Sequence, residues 1–183
     1  MDRISRLVAS YQRFIAVPWR PDAAPMQRVV FCVYPAPAER RLRAAVDEFA
    51  VATSQAGHPW HLHDLTDAFS AWMRALDYAD AYFADPELLE SVFPLFLDFI
   101  EQRFRAAMAA ASADPNAVVA LLGVGALFGF VKVKAVVDRL APLVHGRFVI
   151  LFPGSYENNN YRLLDGYDGW DYLATPITAD SDL

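Results

Sequence analysis

With 183 residues, 55 % of them apolar and 21 % charged, the chain has material for one ordinary hydrophobic core, and its composition argues against intrinsic disorder. A formal charge of −6 gives no electrostatic footprint for tracking a phosphate backbone, which argues against stand-alone nucleic-acid binding. The single cysteine, Cys32, excludes an intramolecular disulfide framework and a cysteine-built zinc site, and fits a reducing, cytoplasmic setting.

The opening residues carry charge but no apolar block of signal-peptide length before Gln12 and Arg13, so export by that route is not expected. Ile4, Leu7, Val8, Tyr11, Phe14 and Ile15 fall on one stripe of a 3.6-residue period and predict an amphipathic helix. This helix either packs on its own domain or docks on another protomer or partner. Pro18, Pro21 and Pro25 then make Val17 to Gln27 an ordered connector, so residues 1–27 precede a single α/β domain over 28–178, with 179–183 as a tail.

Val29 to Tyr34 is a continuous β-branched and aromatic run closed by Pro35, the pattern of a strand covered on both faces. A helix is predicted from Ala38 to Ala56, stopped by Gly57 and Pro59. Trp60 to Leu65 reads as a short strand, and Thr66 as the cap of a helix reaching about Asp77. Asp85-Pro86-Glu87 marks the start of a long helix to Ala111, with Asp85 as N-cap. Pro94 inside it predicts a kink, or two shorter helices, near Phe93.

Val118 to Val124 is another inner strand, leading through Gly125 to a helix that ends at Ala141-Pro142 with Phe130, Val133, Val137 and Leu140 inward. Ala117 to Val131, the longest nearly uncharged stretch, is short of the ~20 residues that span a bilayer. Arg147 to Phe152 is a third apolar strand halted by Pro153-Gly154, and Asp171 to Ile177 a last, shorter one with Pro176 at an edge or end. Strands separated by helices indicate a mostly parallel open sheet of about four to five strands with helices on both faces.

Catalytic patterns are poorly met. Gly123-Val124-Gly125 follows a strand, as in a phosphate-binding turn, but Phe128 occupies the third glycine position of G-x-G-x-x-G. A tight strand-to-helix turn is the favoured account of these glycines, over a nucleotide site. There is no Gly-Lys-Ser or Gly-Lys-Thr and no G-x-S-x-G, so Ser155 reads as a turn residue. Cys32, in mid-strand, is expected to be buried and unreactive. His61 and His63 share one side of a strand beside Asp64, yet three side chains from one short segment rarely close a metal shell. Lys132 and Lys134 read as the solvated side of a helix. No enzyme activity, metal or other cofactor is expected.

What remains is Phe152-Pro153-Gly154-Ser155-Tyr156 and the following segment to Leu164, just outside the carboxyl end of a predicted central strand. That rim binds ligands or partners in open α/β sheets, and an Asn-rich stretch is also what a long turn looks like. Arg162 can clamp a carboxylate or phosphate through two donors, or pair with Glu157 or Asp165.

The C-terminal third resembles the BrxB family of BREX bacteriophage-exclusion systems. The resemblance rests on Leu121-Leu122-Gly123-Val124-Gly125-Ala126-Leu127-Phe128, on Leu140-Ala141-Pro142-Leu143, on Phe148 to Tyr156 followed by Arg162-Leu163, and on Tyr172 to Ile177. The N-terminal half is similar only in outline, in a strand ending at Tyr34-Pro35 and in Asp64-Leu65. The resemblance implies a cytoplasmic component of an anti-phage locus, working beside a PglZ-type phosphatase-fold protein, a large ATPase and an adenine methyltransferase. It points to a non-catalytic adaptor whose partner-binding or ligand-binding residues are Gly123, Gly125, Phe128, Pro153, Gly154, Tyr156 and Arg162. The alternative is a nucleotide- or phosphate-ester-binding protein using Gly123, Gly125, Gly154 and Arg162.

Overall fold

The computed structural model describes residues 2–164, 166, 167 and 174–181. Its opening helix α1 (Arg3–Ile15) buries Ile4, Leu7, Val8, Tyr11 and Ile15, and Asp2 caps it by accepting the Ser5 N–H at 2.9 Å. The connector holds one 3-10 turn, Pro25–Arg28, and leads into β1 (Val29–Tyr34), buried at every residue. The helix predicted over Ala38–Ala56 is two, α2 (Glu39–Ala44) and α3 (Val46–Gln55), because Ala45 leaves helical geometry at φ −99°, ψ 2°.

After β2 (Trp60–Asp64), Thr66 does not cap the next helix. Its N–H and hydroxyl both turn back to the Asp64 carboxylate, and α4 (Ala68–Ala75) starts beyond that tight turn. A short α5 (Ala79–Ala84) follows, in a segment to which the sequence reading assigns no element. Asp85 makes no side-chain cap, and Pro86–Val92 forms a 3-10 helix rather than the first turns of a long α-helix. Pro94 then lies in the first turn of α6 (Phe93–Ala113), where its missing N–H breaks no helical bond. Of the two outcomes expected at Pro94, separate helices is the one realised.

β3 (Val118–Leu122) ends at Gly123, and a 3-10 turn, Val124–Leu127, replaces the first half of the helix predicted from Gly125. Gly129, in the left-handed region at φ +83°, breaks the run, so α7 covers only Val133–Leu140. Phe130 therefore precedes the helix instead of joining its inward stripe, and its ring stacks on Phe69 at 3.8 Å.

β4 (Arg147–Glu157) runs straight through Pro153-Gly154, where the sequence reading halted it. Its first part pairs in parallel with β3 and β1, and from Gly154 it pairs antiparallel with β5 (Asn160–Leu163). Pro153 sits at the changeover between the two ladders, a place where a strand tolerates a missing donor. Asn158 and Asn159, at φ +51° and +63°, form the two-residue hairpin loop, and β6 (Gly166–Tyr167) pairs with β5. The last strand, β7 (Thr175–Ile177), is shorter than predicted; Asp171 to Leu173 lie outside the described residues.

The parallel sheet has the order β2-β3-β4-β1-β7, so Pro176 is on an edge strand. Alternation along the strands sends Val30, Cys32, Tyr34, Val149 and Leu151 to one face, under α1 and α3, and Phe31, Phe148, Ile150 and Phe152 to the other, under α4, α6 and α7. α1 packs on this chain's own sheet and is tied to α3 by a 2.6 Å bond between the Tyr11 and Thr53 hydroxyls, so it is not held out for another protomer. Among the described residues no helix is long and apolar enough to cross a membrane.

Candidate functional site at the carboxyl rim

Because β1 to β4 run in parallel, Tyr34, Asp64, Leu122 and Pro153 arrive at one rim, and α2 begins after Pro35 and a 3-10 turn, Ala36–Ala38, that follow β1. The i, i+4 pair Glu39 and Arg43 lies on α2, with Arg43 Nε donating to Glu39 Oε1 at 2.7 Å. Arg43 also donates to Thr66 Oγ1 at 2.8 Å and reaches Asp64 Oδ2 at 3.4 Å, while the Tyr34 hydroxyl donates to the other Glu39 oxygen. Glu39, Arg43 and Thr66 wall a small cleft of about 270 Å³, also lined by Gly123, Gly125, Ala126 and Pro153.

Burial pushes against ionising Asp64, but the two Thr66 hydrogen bonds and Arg43 together outweigh it and hold the carboxyl below its ordinary value. Burial and the bond to Glu39 push the Tyr34 phenol upward, so it acts as a donor. Burial opposes the charge of Arg43, yet Glu39 and Asp64 raise its proton affinity overall. Two carboxylates, one guanidinium and two hydroxyls thus satisfy one another, forming a linked corner between α2, β1 and β2.

Gly123 closes that corner. At φ +78° it is left-handed, and a Cβ there would lie 2.5 Å from Thr66 Oγ1 and 2.7 Å from Asp64 Oδ1. The glycine is needed for close packing on Asp64 and Thr66. A Cβ at Gly125 would touch Pro153 Cγ at 3.3 Å, which links the cleft to the root of the β4–β5 hairpin.

The other sequence-predicted residues gather on that hairpin. Gly154 faces β5 so closely that a Cβ would meet the Arg162 carbonyl oxygen at 1.8 Å. Tyr156 leans on Tyr161 with ring centroids 4.7 Å apart and donates to Asn159 Oδ1 at 2.9 Å, bracing the loop. Tyr161 and Leu163 are buried, whereas Arg162 is exposed opposite Ser155 on the outer face. Arg162 makes no ion pair with Glu157 among the described residues, and Asp165 lies outside them. Phe128, 46 % exposed, leans over Gly166 of β6, where a Cβ would meet its ring at 2.7 Å. The seven residues therefore form two neighbouring groups: Gly123, Gly125 and Pro153 at the cleft, and Phe128, Gly154, Tyr156 and Arg162 at the hairpin.

Sequence reasoning missed Glu39, Arg43 and Thr66 as rim residues. The i, i+4 spacing of Glu39 and Arg43 right after a strand was the available signal, but nothing local ties them to Asp64. On the edge strand β2, His63 turns inward against Phe104 at 5.5 Å, and its Nε2 is buried with no partner among the described residues. Among those residues no group of three or more His, Cys, Asp or Glu could hold a metal. Cys32 is fully buried, and burial pushes its thiol up.

A family model described as BREX protein BrxB matches residues 85–177, just over half the chain, from the 3-10 helix before α6 through β7. No curated protein and no solved structure matches. The matched segment contains Gly123, Gly125, the whole hairpin and β7, and it extends the resemblance seen in the sequence back through α6. The chain belongs to the BrxB family of BREX proteins.

Proposed function

We propose that this chain is a non-catalytic adaptor of a BREX phage-defence assembly, docking a PglZ-like partner in the cytoplasm through the β4–β5 hairpin and the exposed apolar side chains around it. The observation that carries the reading is Phe128, a large apolar side chain left 46 % exposed against β6 on the Leu163 side of the hairpin, while Arg162 is exposed on its other face. Exposed aromatic and arginine side chains are the residue types that dominate protein interfaces. The α5 segment adds to it: no residue of that helix is buried, and Tyr78 and Phe83 are 73 % and 70 % exposed.

The bonding at the rim supports a structural use of its polar groups. Glu39, Arg43, Asp64 and Thr66 spend their donors and acceptors on one another, which fixes α2 against the strand ends and so stiffens the base from which the hairpin projects. The test is affinity capture of the other proteins of the locus by the tagged full chain and by its Phe128→Ala, Tyr156→Ala and Arg162→Ala variants. The native chain is expected to retain the PglZ-like protein, and Phe128→Ala and Arg162→Ala, both at exposed positions, to release it while remaining folded. Failure of the native chain to retain any locus protein contradicts the proposal.

A further inference from the structure

At the opposite, amino edge of the sheet, a cleft of about 560 Å³ opens where β1 to β4 begin. Trp19, Arg20, Arg28, His58, Asn116 and Arg147 are among its walls, and among the described residues no acidic one lines it. In a chain of formal charge −6, this concentration of cations needs a reason.

The strand register supplies the geometry. Val29 of β1 pairs with Phe148 of β4, so Arg28 and Arg147 precede equivalent positions on neighbouring strands, which lie about 4.8 Å apart. Neither forms an ion pair with a described carboxylate. Arg28 Nη1 donates to the His145 carbonyl at 3.0 Å and Arg147 Nη1 to the Gln27 carbonyl at 3.4 Å, which leaves most of each five-donor fork unused. His58 stacks on Trp19 at 3.8 Å, held there by its Nδ1 bond to Asn116, and the Arg147 guanidinium lies 5.2 Å from the same indole.

The cleft also gathers unmet hydrogen bonds. Four side-chain N or O atoms are buried without a partner among the described residues, and three of them, Trp19 Nε1, Arg28 Nε and Arg147 Nε, belong to its walls. Burial, and Arg28 beside it, lower the proton affinity of Arg147. Two like charges side by side, short of acceptors and facing a cavity, destabilise the chain unless an anion joins them.

We propose that this cleft binds a phosphate group, either the free ion or a small-molecule monoester, clamped between Arg28 and Arg147. Two guanidinium forks suit a dianion with several acceptor oxygens better than a single carboxylate, and the volume is that of an ordinary small-molecule site. The site lies at the far edge from the docking hairpin, so it stands or falls independently of the adaptor reading.

The test is calorimetric titration of the full chain at low salt with inorganic phosphate, adenosine monophosphate and, as a carboxylate control, succinate. Both phosphate probes, or the monoester alone, are expected to bind saturably. Arg28→Gln and Arg147→Gln should each weaken binding roughly tenfold or more, and Arg162→Ala should leave it unchanged. Thermal melts of each variant confirm folding, and Trp19→Phe, which keeps the stack and removes the N–H, is the second probe should Arg147→Gln not fold. A tighter monoester identifies a phosphorylated small molecule, whereas equal affinities identify the free ion. Absence of binding by both phosphate probes, affinity unchanged in both arginine variants, or succinate binding as tightly overturns the proposal.

Discussion

At Gly154 the spacing between two strands is decided by a single hydrogen. A Cβ 1.8 Å from the Arg162 carbonyl oxygen cannot be relieved by a rotamer change, because the obstacle is backbone. Gly154→Ala should cost about 2 kcal/mol or more by forcing β4 from β5. Gly129→Ala is the comparison: that glycine is left-handed, unlike Gly154, but has open space around it, so it should lose only the conformational penalty of about 1–2 kcal/mol. Denaturant unfolding of both variants checks the order, and a Gly129→Ala loss as large as that of Gly154→Ala refutes it. His63 offers a pH test. Burial, then the nearby Arg103, lowers its proton affinity in the folded chain, so the unfolded chain binds the proton first as pH falls. Its contribution to stability is complete above the ordinary histidine value of about 6.5 and declines below it. His63→Leu should therefore flatten the fall in urea midpoint between about pH 7.5 and about pH 5.5, and an unchanged slope contradicts this assignment. Residues of this kind are only half visible in sequence. The pattern gave the tight turn at Gly123 as one of two readings, but the strand spacing at Gly154 and the lone inward edge at His63 depend on pairing that no local signal encodes.

Among the elements, α1 carries the plainest energetic consequence. It buries five apolar or aromatic side chains on β1 and α3, each worth about 1.5–3 kcal/mol, against a usual total stability of about 5–15 kcal/mol. Deleting residues 1–17 should therefore abolish cooperative thermal unfolding, whereas an unaltered melting curve would mean that the helix is dispensable. The 3.6-residue stripe alone predicted this helix and its buried face, and the apolar runs predicted β1, β3 and the start of β4. The differences lie at turn residues. Pro153-Gly154 reads locally as a strand end, yet tertiary pairing sets its effect, and Pro153 is tolerated where β4 changes partners; Gly129 splits the helix expected to run on from Gly125. The hairpin was hidden because Asn158 and Asn159 form its left-handed loop without the Asn-Gly signature that usually marks one.

At the scale of the whole molecule, the family match and the site geometry divide the chain differently. The match runs over 85–177, but the rim corner takes Tyr34, Glu39, Arg43 and Asp64 from outside that segment and Gly123 and Pro153 from within it. The N-terminal half is therefore the brace on which the matched half presents its hairpin. Composition and periodicity were enough for a mostly parallel α/β sheet with an amphipathic opening helix, because burial on both faces leaves continuous apolar runs. They were not enough for the hairpin surface or the amino-edge cleft, whose residues are far apart in sequence. The most direct measurement is a calorimetric titration of the purified PglZ-like protein of the same locus into this chain and its folded Arg162→Ala variant. The adaptor account predicts a saturable complex weakened roughly tenfold or more by the substitution. No heat with the native chain, or equal affinity for both, would contradict it.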